Sequence, residues 1–97
     1  MFTGTAVFDI LLPGDSRSLK AKRSYVRPIV AALRRIEVAA AEVGDTEVVG
    51  RTQVGVSVVS GEHSQVSTVL DSCEKLVADR PEIELLSVRR RVFGPQD

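Results

Sequence analysis

The chain has 97 residues, of which 43% are apolar and 27% charged, and its 13 basic and 13 acidic side chains give a formal net charge of zero. This length leaves room for one domain, and the apolar fraction together with balanced charge excludes general disorder. Neutrality also argues against a protein that coats nucleic acid or membranes through bulk charge.

The first predicted element is a β-strand over residues 3–12. One face of it carries Ala6, Phe8, Ile10 and Leu12, and the other carries Thr5, Val7, Asp9 and Leu11. A period of two is typical of a strand with one buried face. The Pro-Gly-Asp sequence at residues 13–15 then ends the element.

From about Leu19 the apolar period becomes helical. One stripe contains Val26, Ile29, Val30, Leu33 and Ile36, which is the spacing of an amphipathic helix. Pro28 falls inside this pattern, and proline removes a backbone donor and clashes with the preceding turn. Either the helix bends at Pro28, or its first regular turn begins near Ser24.

Residues 37–43 permit two interpretations. Their three alanines favour a continued helix, whereas Val38 and Val43, followed by Gly44, permit a short strand and a turn. The next strand is clearer, because valines alternate with glutamine, glycine and serine in residues 53–58. This alternation is typical of a sheet that is covered on one side only.

A second helix has the clearest pattern in the chain. Its apolar stripe contains Val66, Val69, Leu70, Cys73, Leu76 and Val77. Ser60 is the expected N-cap, and Pro81 follows the end of the helix. A last strand runs from about residue 82 to residue 93, and its apolar phase shifts between Leu85 and Leu86, which predicts a β-bulge.

With residues 37–43 as a strand, the element order is β-α-β-β-α-β, the split pattern of the ferredoxin-like fold. Two amphipathic helices would then cover one face of a four-stranded antiparallel sheet. We predict this single α+β domain for residues 1–97, with residues 94–97 as a frayed tail.

The cysteine content and the N-terminus indicate a compartment. Cys73 is the only cysteine, so neither an internal disulfide nor a thiolate metal cluster is expected, and an unstapled small domain is typical of a reducing cytosol. The N-terminus has no basic leader, and no apolar run approaches the roughly 18 to 20 residues that span a bilayer. We therefore expect a cytoplasmic protein without a membrane segment.

The net charge of zero conceals segregation along the chain. Residues 1–36 carry a net charge of +5, residues 37–86 carry −7, and residues 87–97 carry +2. In a β-α-β-β-α-β fold the basic segments near both ends of the chain could form one region. Such a region would favour phosphate or an acidic protein surface, although charges on solvated faces are also common.

Local motifs provide little support for an enzyme. The loop of residues 14–20 enters a helix with glycine, serines and cations, which fits either an anion site or simple helix capping. The chain has no asparagine for an acylphosphatase site, and His63, its only histidine, has no evident acid to orient it. The acids Glu42, Asp45 and Glu47 match no calcium loop. We expect no catalytic, cofactor or metal site.

The open face of the predicted sheet would also lack the aromatic side chains on which RNA-recognition motifs stack bases. The residues expected there from the first and third strands are Thr5, Val7, Asp9, Leu11, Gln53, Gly55 and Ser57. Base stacking in that module uses aromatics on those two strands. Any contact with nucleic acid is therefore expected at the basic segments instead.

Five segments together carry a family resemblance: residues 12–14, 18–23, 38–43, 58–60 and 84–88. They resemble the YlxP-like family of small bacterial proteins, a domain of unknown function, and the Ser-Leu-Lys-Ala-Lys-Arg cluster is the most specific of them. The resemblance implies a ferredoxin-like fold with residues 38–43 as a strand. Family genes lie among translation genes, which implies a ribosome- or RNA-associated role. Where the family often has an aromatic-bearing stretch after Asp45, this chain has Thr-Glu-Val-Val-Gly.

These observations favour a non-enzymatic protein that contacts ribosomal RNA or a ribosome-associated partner. The predicted phosphate contacts are Ser18, Lys20, Lys22, Arg23, Arg89 and Arg90. Such contacts give salt-sensitive affinity with little base selectivity. The alternative is a homo-oligomeric interaction or small-ligand domain, a homodimer for example, that uses the open sheet face.

Overall fold

Four strands and two helices make up the computed structural model, which describes residues 1–96. The elements in chain order are β1 Phe2–Leu11, α1 Leu19–Arg35, β2 Ala39–Val43, β3 Arg51–Ser60, α2 His63–Ala78 and β4 Glu84–Phe93. The sheet order is β2-β3-β1-β4, and every neighbouring pair is antiparallel. The predicted ferredoxin-like α+β fold is confirmed. The predicted frayed tail falls partly on Asp97, which lies outside the described residues.

Alternation along β1 sets the two faces of the sheet. Ala6, Phe8 and Ile10 are buried beneath the helices, while Val7 and Asp9 point to the opposite, open side. Both helices lie on the buried side, where α1 packs over β2 and β3, and α2 packs over β1, β3 and β4. The sheet therefore has one covered face and one open face, as the periodicity predicts.

Helix α1 begins at Leu19, which excludes a first turn near Ser24. Ser18 is its N-cap, and the Ser18 hydroxyl accepts the backbone N–H of Ala21 at 3.0 Å. Pro28 lies inside the helix on its exposed side. The ring projects away from the core, and its missing N–H leaves one carbonyl in the preceding turn without its helical donor.

The segment that permits both helix and strand becomes β2. Glu37 adopts a left-handed φ of 67° just after the α1 C-cap, so the helix cannot continue through it. Ala40 then lies opposite Val56 of β3, and both side chains are buried. Strand pairing and burial thus outweigh the helix propensity of the three alanines.

Two local predictions at the C-terminal half have different outcomes. The N-cap of α2 is Glu62 and not Ser60, because the Ser60 hydroxyl accepts the N–H of Glu62 and forms a turn before the helix. The bulge is confirmed, since the β1–β4 register shifts so that Ser87 and Leu85 face successive β1 residues and Leu86 is left over. Leu86 is consequently exposed.

Candidate functional site

The residues predicted to contact phosphate do not lie together in the structure. Four of them belong to the start of α1 and its cap, and two belong to β4. Helix α1 covers β2 and β3, whereas β4 forms the opposite edge of the sheet, and within residues 1–96 the two elements do not pack against each other. The basic segments near the two ends of the chain therefore form separate surfaces.

Lys22 is buried and is not available for its predicted phosphate contact. Only 2% of it is exposed. Its Nζ donates to the carbonyl oxygen of Thr46 at 2.9 Å and lies 2.8 Å from Oε2 of Glu42. The helical period explains this outcome, because Lys22 precedes the buried residues Val26 and Ile29 by four and seven positions.

The Lys22 ion pair belongs to a polar network that holds residues 44–50, the loop between β2 and β3. Glu42 also accepts a hydrogen bond from the Thr52 hydroxyl at 2.8 Å. The buried Ser16 hydroxyl donates to the carbonyl oxygen of Val49 at 2.7 Å. We define Lys22, Glu42, Thr46 and Thr52 as the loop network, whose contacts join α1 and strands β2 and β3 to this loop.

The loop that precedes α1 uses its polar groups internally. Ser18 caps the helix, the Arg17 Nε donates to the carbonyl oxygen of Gly14 at 3.1 Å, and Asp15 accepts the Tyr25 hydroxyl at 2.8 Å. The Asp15 hydrogen bond raises the pKa of the Tyr25 hydroxyl above its ordinary value. The structure thus favours capping over an anion site at this loop, and Ser18 is occupied as the cap.

The arginines of β4 point alternately to the two sides of the sheet. Arg90 lies on the helix side, where its guanidinium donates to Asp71 Oδ1 at 2.7 Å and to the carbonyl oxygen of Ser67 at 3.1 Å. Arg89 and Arg91 lie opposite Val7 and Thr5 of the open face. Arg90 is therefore an anchor between β4 and α2, and its predicted phosphate contact is replaced by an ion pair.

An exposed basic strip remains on the outer side of α1. Lys20, Arg23 and Arg27 are all exposed, and their spacing places them on one helix face. None of the three forms an ion pair with any residue of the described chain, 1–96. Helix α1 also contains no acidic residue to neutralise them. We call these three residues the α1 basic strip.

The strip borders a shallow groove of about 380 Å³ in which Ser24 and Pro28 also take part. Arg27 was not among the residues predicted to contact phosphate, although the sequence contained the signal. It follows Arg23 by four positions and Lys20 by seven, so the three share a helix face.

The open sheet face contains small and apolar side chains. Thr5, Val7, Ala41, Gly55 and Ser57 are among those that line a depression of about 480 Å³. This composition agrees with the residues expected there from the first and third strands. The exposed side chains Leu11, Val43 and Val59 share this face.

An aromatic ring also lies on the open face, on a strand other than the first and third, for which no open-face aromatic was expected. Phe93, the last residue of β4, is opposite Thr3. The guanidinium carbon of Arg91 is 4.8 Å from the centroid of the Phe93 ring. The alternation of Arg89, Arg91 and Phe93 was the available signal, but the bulge at Leu86 obscures the phase of the strand.

The remaining polar candidates make contacts of other kinds. His63 is exposed at the first residue of α2, and its ring meets the Phe2 ring edge-on at a centroid distance of 5.7 Å. Asp45 accepts the backbone N–H of Glu47 at 3.0 Å, which shapes the loop turn. No three His, Cys, Asp or Glu side chains among residues 1–96 converge in a way that could hold a metal ion.

Cys73 is expected to be unreactive while the domain is folded. The side chain is fully buried in the core, and burial raises the pKa of the thiol, which the charge of Arg90 offsets only in part. We expect Ellman's reagent to modify the folded protein at least about 100-fold more slowly than the unfolded chain. Equal rates in buffer and in guanidinium chloride would contradict this.

The same pKa shift makes stability depend on pH. The thiol ionises at lower pH in the unfolded chain than in the folded domain. Its contribution to the free energy of unfolding is therefore fully present below the pKa of the unfolded chain and is lost as pH rises through the pKa of the folded domain. The Cys73→Ala variant is expected to lack the part of the alkaline loss of stability that Cys73 causes. Urea unfolding of both proteins at several pH values above neutrality measures the difference.

Comparison with known proteins assigns the family. No curated protein matches the chain, and no helix among residues 1–96 is long and apolar enough to cross a membrane. The family model described as a protein of unknown function, DUF503, matches residues 3–90. These residues contain all of both helices, the first three strands except Phe2, and most of β4. With nearly the whole fold inside the match, the chain belongs to the DUF503 family.

Proposed function

We propose that this protein is a non-catalytic RNA-binding protein of the bacterial cytoplasm that contacts the phosphate backbone of ribosomal RNA through the α1 basic strip. The observation that supports this proposal most directly is the set of three exposed cations without acidic partners in the described chain. The resemblance to the YlxP-like family, with its genes among those for translation, supports the ribosome as the setting.

The geometry of the strip fits a nucleic-acid backbone. Lys20 and Arg27 are seven residues apart, so the strip is about 10 Å long at 1.5 Å per residue. Along the axis of a duplex, where each strand carries one phosphate about every 3.4 Å, about three phosphates of one strand fall within that length. Arginine provides forked donors to phosphate oxygens, and lysine provides a point charge. Contacts of this kind position an RNA backbone without reading bases.

The test is co-sedimentation with ribosomal subunits at about 50 and 200 mM salt. Three phosphate contacts predict that affinity falls roughly 20- to 40-fold over this range. The variant Lys20→Ala/Arg23→Ala/Arg27→Ala is expected to bind at least about tenfold more weakly at the lower salt and to show a shallower salt dependence. Unchanged migration of this variant would overturn the assignment of the strip.

A matched control separates the strip from net charge. The variant Arg35→Ala/Arg51→Ala/Lys75→Ala removes the same number of positive charges from three dispersed places. We expect it to bind nearly as well as the unaltered protein, and an equal loss in both variants would contradict a local site. Strip-dependent binding to intact subunits without binding to protein-free ribosomal RNA would assign the contact to a ribosomal protein instead.

A further inference from the structure

A second basic surface lies on the open sheet face, at the end of β4. Arg89, Arg91 and Phe93 occupy alternate positions, so all three project to the same side. Successive members are about 7 Å apart along the strand. This distance is of the same order as the spacing of successive phosphates in an extended single strand of nucleic acid. We call these three residues the β4 platform.

Among the described residues, no acidic side chain pairs with the charges of the platform. Neither Arg89 nor Arg91 forms an ion pair with any residue from 1 to 96, whereas Arg90 between them is held by α2. The Arg51–Asp9 ion pair, at 2.6 Å, neutralises part of the other end of this face. Positive charge on the open face is therefore concentrated beside Phe93.

The guanidinium of Arg91 and the ring of Phe93 form a stacking unit. Their distance of 4.8 Å is that of a cation–π contact. The contact places the guanidinium over the ring, and single-stranded RNA bases stack on guanidinium planes as well as on aromatic rings. Ring and guanidinium together provide a preformed surface for one base.

The sheet surface beside the platform has small side chains, some of which can form hydrogen bonds. Thr5 and Ser57 lie opposite each other on adjacent strands, and Gly55, opposite Val7, has no side chain. These residues are among those that line the open depression of about 480 Å³. Bases can approach such a surface closely, because no large side chain projects from its centre.

We infer that the β4 platform binds an extended segment of single-stranded RNA. Arg89 and Arg91 contact successive phosphates, and one base stacks on the Arg91–Phe93 unit. The inference rests on the proposed function for the class of ligand, but it uses a different surface from the α1 basic strip. Charge complementarity favours RNA over a second copy of the chain, since stacking two such faces would desolvate like charges on both.

The test is fluorescence anisotropy with a labelled 12-nucleotide oligouridine at about 50 mM salt. The variant Arg89→Ala/Arg91→Ala is expected to bind at least about tenfold more weakly, and the slope of log affinity against log salt is expected to fall by about 1.4. Phe93→Leu keeps an apolar side chain but removes the ring. It is expected to weaken binding roughly 5- to 150-fold without changing the salt slope.

The control variant is Arg35→Ala/Lys75→Ala, which removes two positive charges from the two helices, outside both the platform and the strip. It is expected to bind the oligonucleotide within about twofold of the unaltered protein. A loss of binding in Lys20→Ala/Arg23→Ala/Arg27→Ala but not in Arg89→Ala/Arg91→Ala would overturn the platform and leave the strip in place. Failure of the unaltered protein to bind oligouridine would also overturn it. A dimer that is detected by sedimentation velocity and that Val43→Arg dissociates would overturn the platform as well, since the open face would then bind a second copy.

Discussion

Replacement of Lys22 by methionine is expected to lower the free energy of unfolding by about 3 kcal/mol. Methionine preserves most of the apolar stem but removes the charge from the loop network. The Glu42 carboxylate, 22% exposed, would lose its ion-pair partner, and the Thr46 carbonyl oxygen would lose its donor. Urea unfolding followed by circular dichroism measures the change.

The matched control for Lys22 is its neighbour two positions earlier. Lys20 is exposed and lies outside the loop network, so Lys20→Met is expected to change stability by no more than about 0.5 kcal/mol. The double variant Lys22→Met/Glu42→Gln should lose less free energy of unfolding than the sum of the losses in the two single variants, because neither partner is then left charged and unpaired. Equal stability of Lys22→Met and Lys20→Met would show that the network contributes nothing.

Lys22 also separates stability from binding. If the loop network is only structural, folded Lys22→Met protein at low temperature retains its affinity for ribosomal subunits. The α1 basic strip variant should behave in the opposite way, with nearly unchanged stability and weakened binding. This contrast distinguishes the two roles that the Lys-Ala-Lys-Arg sequence of residues 20–23 combines.

The second large effect is expected at Gly4 of β1, against which side chains of α2 pack closely. A Cβ atom at this position would overlap Cγ1 of Val66 and lie 2.9 Å from Cδ1 of Leu70. Both partners are fully buried, and a β-branched valine in a helix has little rotamer freedom to move aside. Gly4→Ala is therefore expected to cost about 2 kcal/mol through overpacking.

A loss of this size lowers the melting temperature of a domain this small by roughly 8 to 16 °C. Gly61→Ala is the control, because a Cβ there meets nothing within 4 Å and its φ is not positive. That variant should melt close to the unaltered protein. Equal melting temperatures of the Gly4→Ala and Gly61→Ala variants would contradict the close packing of α2 against Gly4.

The positions of the basic side chains were predicted less well than the fold, and particular residues show why. Lys20 and Arg23 are exposed, as a contact with phosphate requires, because a run of basic residues in an amphipathic helix must place some of them in solvent. Lys22 belongs to that run and Arg90 to the arginine run of residues 89–91, but their partners Glu42 and Asp71 are about 20 residues away in the chain. The residues around Lys22 and Arg90 in the sequence do not indicate which distant acidic residue each of them pairs with.

The sequence by itself determined the two amphipathic helices, the two faces of β1 and β3, and the bulge in β4. Each of these follows from the period of apolar residues within one element, and that period reflects which side of the element is buried. Only the tertiary structure decided that residues 39–43 pair with β3, that Lys22 is buried and that the two basic segments stay apart. These features depend on contacts between distant elements, where strand pairing, burial and ion pairing outweigh local propensity.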